Sequence, residues 1–131
     1  MKTTTAVEKD ERAKNQARTQ FDSIKEMIQT LENEDSERDE ARIAIEEDPL
    51  SIQIRSGWRS IGEKLEPEEF EILLCTGGPA VRIIGELDEH GQPYSPKLQY
   101  QDWFTQWEDY PLESEEEEIL SSYCNVFYFG E

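Results

Sequence analysis

Thirty-one carboxylate side chains against thirteen basic ones leave this chain of 131 residues at a net charge of −18. Any compact fold it adopts must hold that charge together against its own repulsion. The excess is larger than solubility demands of a small domain, which implies a cationic partner that offsets it. Direct binding to nucleic acid is disfavoured, because phosphate neutralisation requires clustered Lys and Arg. The acid is also unevenly placed. Residues 1–33 hold six basic and six acidic residues, residues 34–82 hold six against thirteen, and residues 83–131 hold Lys97 against twelve. A basic partner would therefore dock on the later part of the chain.

High charge with a hydrophobic fraction of 35% points towards disorder. The apolar residues are nevertheless patterned, and a chain of this length can bury a core. Ala13, Ala17, Phe21, Ile24, Ile28 and Leu31 recur at intervals of three and four, which places them on one stripe of a helix. That stripe has two readings. It packs on the rest of the domain, or it forms a dimer arm through Phe21, Ile24, Ile28 and Leu31. On the second reading residues 1–33 are a separate arm and residues 34–131 an acidic α+β domain.

After a break at residues 33–35, Ser36 with Asp39 or Glu40 resembles a helix N-cap. A short helix follows through Ala41 and Ile45 until Asp48-Pro49 stops it. The period then changes to two. Leu50, Ile52 and Ile54 alternate with polar residues, and strands are expected over Glu69–Cys75, Ala80–Leu87 and Lys97–Trp103. Thr76-Gly77-Gly78-Pro79 is a hairpin turn requiring positive φ, and residues 88–96 form a loop. Ser114 is expected to cap a late helix with Glu117 at its third position. Val126-Phe127-Tyr128-Phe129 reads as a final strand joining the sheet. The fold class is α+β: N-terminal helices, then an antiparallel sheet of four or five strands, with a late C-terminal helix.

Recognisable chemistry is sparse. The single histidine, His90, lies in a loop beside Gly91, and with two distant cysteines it makes no convincing zinc site. The Gly77-Gly78 turn lacks the spacing and the Lys-Ser/Thr of a phosphate loop. Residues 88–96 lack the terminal Glu of a calcium loop. No catalytic residue, metal or cofactor is expected. Two cysteines make no disulfide framework, and no signal peptide or membrane-spanning run is visible. The expectation is a reduced cytosolic protein with no membrane partner.

The remaining feature is the stretch QDWFTQWEDYPLESEEEE, residues 101–118, which carries eight acids and no Lys or Arg. Its aromatics could seal one end of the sheet, and its glutamates could cap a helix. Together they also suit an interface, since Trp and Tyr anchor contacts while charges steer association. The candidate partner-binding residues are Asp102, Trp103, Trp107, Glu108, Asp109, Glu113, Glu115, Glu116, Glu117 and Glu118. A second acidic run covers residues 35–48.

The run Leu74-Cys75-Thr76-Gly77-Gly78-Pro79-Ala80-Val81-Arg82-Ile83, with Gln101-Asp102-Trp103 and a terminal Phe127-Tyr128-Phe129-Gly130, resembles small acidic proteins of phages and prophages. The likeness covers about residues 50–131. In size and acidity the chain is also similar to nucleic-acid-mimicking anti-CRISPR and anti-restriction inhibitors. That resemblance implies a non-catalytic inhibitor working in the host cytoplasm. Its acidic surface would occupy the nucleic-acid groove of a defence protein, such as a CRISPR effector complex. The alternative is a regulatory or structural interaction module that dimerises through its first helix and binds a basic protein.

Overall fold

The computed structural model describes residues 6–33, 38–77, 79–102 and 105–129. Two helices, α1 (Ala6–Glu32) and α2 (Arg38–Glu47), lead into a five-stranded sheet of β1 (Ser51–Arg55), β2 (Glu69–Cys75), β3 (Ala80–Leu87), β4 (Pro93–Gln101) and β5 (Glu108–Asp109), followed by α3 (Ser114–Cys124). The strands lie in sequence order and every neighbouring pair is antiparallel. The α+β class is as the sequence indicates.

The long helix is organised by its stripe. Ala13, Ala17, Phe21, Ile24 and Ile28 are all buried, and Leu31 packs partly buried at their end. They meet Ile72, Val81, Ile83 and Leu98 from the sheet, Leu120 and Tyr123 from α3, and Ile45 from α2, in one continuous core. Burying a side chain of this size contributes about 1.5–3 kcal/mol. Phe21, Ile24 and Ile28 thus fill the chain's own interior, and α1 shares one core with residues 45–129. A dimer built through that stripe would have to open the core.

The inner face of the sheet follows the period of two. Phe70, Ile72 and Leu74 of β2 alternate with half-exposed neighbours. Gly85 stands opposite Phe70 in the register, and a Cβ there would come within 2.6 Å of the Phe70 ring. Glycine lets the ring lie across the strand, next to a bulge between Ile84 and Glu86. The β2–β3 turn has Gly77 at φ 105°, the conformation a glycine was expected to supply. Gly78 lies outside the described residues.

Several sequence expectations shift. The final aromatic stretch is not a strand. Its side chains alternate as a strand's would, with Phe127 and Phe129 buried and Tyr128 exposed, but its backbone bonds back to the end of α3 through Val126 N–H to Tyr123 O and Phe127 N–H to Cys124 O. Phe129 closes the core against Phe70, ring centroids 4.7 Å apart. The fifth strand is instead Glu108–Asp109, which extends the sheet past β4. Strand β4 begins at Pro93 rather than after the loop, with Ser95 at φ 50°. Ser114 opens α3 as its first residue, and the N-cap is Glu113 in extended conformation. Ser36, expected to cap α2, lies outside the described residues.

Candidate functional site

The sequence places the acidic stretch 101–118 in one segment, and the fold divides it among three environments. Asp102 directly follows β4 and is buried, its side chain 1% exposed. Arg12 of α1 grips it, Nε 3.0 Å from Oδ2 and Nη2 2.9 Å from Oδ1. This is the fork geometry in which a guanidinium and a carboxylate pair most strongly. The corner is tied further by Asp102 N–H donating to Thr105 Oγ1 and Thr105 N–H donating to Asp102 O. Asp102 therefore fastens the sheet to the first helix and presents no carboxylate to a partner. Trp103, with Phe104, lies outside the described residues.

Trp107, Glu108 and Asp109 belong to the outer face and edge of the sheet. The Arg82 guanidinium lies 4.1 Å from the Trp107 ring centroid, a cation–π contact. Arg82 also donates to Glu71 and to Gln99. Gln99 donates in turn to Asp109, and at the opposite edge Arg55 pairs with Glu69. A row of complementary polar contacts thus runs across all five strands. Trp107 is half-buried and committed to Arg82, while Glu108 is exposed. Tyr110 turns towards the core, edge-on to Tyr100.

The third environment is the first turn of α3. Five of the six residues 113–118 are glutamates. Carboxylates are favoured there by the positive end of the helix dipole. Glu116 is used internally: its Oε1 accepts from the N–H of Glu113 at 3.1 Å and its Oε2 pairs with Arg18 at 2.6 Å. The Glu113 N–H, and after it Arg18, hold this carboxyl below its usual range, against the opposing effect of desolvation. The bond that Arg18 donates to Glu116, then one to Tyr110, raises the pKa of Arg18 above its already high ordinary value. Glu113, Glu115, Glu117 and Glu118 are exposed. None of the four makes an ion pair among the described residues.

That contrast is general. Each arginine side chain that is described, Arg12, Arg18, Arg42, Arg55, Arg59 and Arg82, is paired with a carboxylate. The arginine charge is answered within the fold, between elements at Arg12, Arg18, Arg55 and Arg82, while the four glutamates at the start of α3 stay unanswered. A helix rises ~1.5 Å per residue, so five carboxylates over six residues give roughly one charge per 1.8 Å of axis, or ~2.3 Å once Arg18 neutralises Glu116; duplex DNA carries one per ~1.7 Å.

Other chemistry is thin. Among the described residues no group of three or more His, Cys, Asp or Glu is arranged to hold a metal ion, and no helix is long and apolar enough to cross a membrane. Burial pushes the Cys75 and Cys124 thiols up, away from the reactive thiolate. Asp88 accepts from the N–H groups of His90 and Gln92, which accounts for the loop around His90 as a turn.

Sequence reasoning missed Arg12 and Arg82. Both are isolated cations whose acidic partners lie far along the chain, and no local pattern announces such a pair. No family, curated protein or solved structure matches this chain.

Proposed function

We propose that this protein is a non-catalytic inhibitor whose acidic surface occupies the cationic groove of a nucleic-acid-handling protein, such as a CRISPR effector of a host that a phage infects. One observation carries the reading: the described arginines are paired within the fold, while Glu113, Glu115, Glu117 and Glu118 stay exposed at about three-quarters of the linear charge density of duplex DNA. A groove lined with Lys and Arg to neutralise phosphates meets a comparable run of negative charge at the start of α3. Such a surface gains on-rate from long-range attraction. Glu108, on the neighbouring sheet edge, adds to the field. Asp102 and Glu116 support this surface from behind rather than touching the target.

The test is competition. Purified CRISPR effector complexes are incubated with fluorescent duplex DNA and increasing amounts of this protein. DNA is displaced, displacement weakens as salt rises, and a Glu115→Gln, Glu117→Gln, Glu118→Gln variant loses most of its potency. Equal potency of that variant, or displacement indifferent to salt, overturns the reading.

A further inference from the structure

We draw no further inference here: the strongest candidate, the apolar surface formed by Ile52 and Ile54 on the edge strand β1 with Trp58, Ile61 and Leu65 exposed in the loop after it, carries nothing, because nothing in the structure shows what covers it and the neighbouring Arg55 and Arg59 are already paired with Glu69 and Glu68 within the chain.

Discussion

Asp102 and Glu117 stand at the two ends of one acidic stretch, and they do opposite things. Asp102 is buried and held by two nitrogens of Arg12. Glu117 is exposed and makes no ion pair among the described residues. Asp102 follows β4 against α1, where a carboxylate can be desolvated only with a matched cation. Glu117 sits on the first turn of a helix, where the dipole and water accommodate it without one. The lesson is that the net charge of −18 is a mixture. Part of the acid is structural and already answered, and of the part that stays exposed the densest run lies on the first turn of α3.

Substitution can break this comparison. The largest effect is expected at the buried end. Arg12→Ala leaves the buried Asp102 carboxylate without its cation and lowers stability by about 3 kcal/mol, measured by urea unfolding, while Arg12→Leu with Asp102→Leu recovers much of that loss. If Arg12→Ala is as mild as Glu117→Ala, the division is wrong. Next comes Tyr123, whose buried hydroxyl donates to Asp48 Oδ2 at 2.8 Å and ties α3 to the end of α2. Tyr123→Phe costs about 1–2 kcal/mol, which would place Asp48 with Asp102 among the structural acids. Glu116 falls between the classes. Its folded pKa is depressed, so its contribution is present above the unfolded value near 4.5 and is lost as pH falls through the lower folded value. Glu116→Gln therefore destabilises by about 1 kcal/mol at neutral pH, and the gap from wild type closes in acid unfolding curves. Smallest of all, replacing Glu115, Glu117 and Glu118 together by Gln changes stability by no more than about 0.5 kcal/mol. The same variant is the one expected to lose most of its potency against the target, so a large stability loss would move these residues into the structural class.

Much of the fold is legible in the sequence, because local periodicity reports which face of an element is buried. The α1 stripe at spacings of three and four, and the strands Glu69–Cys75 and Ala80–Leu87, follow from it directly. The aromatic tail shows the limit. Alternation at Phe127, Tyr128 and Phe129 foretells which side chains go inside, but whether the backbone finds a strand neighbour depends on an edge elsewhere. Here β5 extends the sheet past β4. The acidic stretch was legible as composition and illegible as structure. Whether a given Asp is anchored depends on Arg12, ninety positions away. The open face of β1 was equally hidden, since Ile52 and Ile54 show the same alternation as buried strand residues. Only the position of β1 at the margin of the sheet exposes them.

The clamp between Arg12 and Asp102 spans 90 residues, and that between Arg18 and Glu116 spans 98. During synthesis the ribosome therefore releases α1 long before the segments it must grip. Until β4 and α3 emerge, its greasy stripe lacks part of its packing, and productive folding waits until Glu116 has been made. A premature stop before residue 102 would release a helix unable to complete its core, which makes such fragments natural clients for chaperones and proteases.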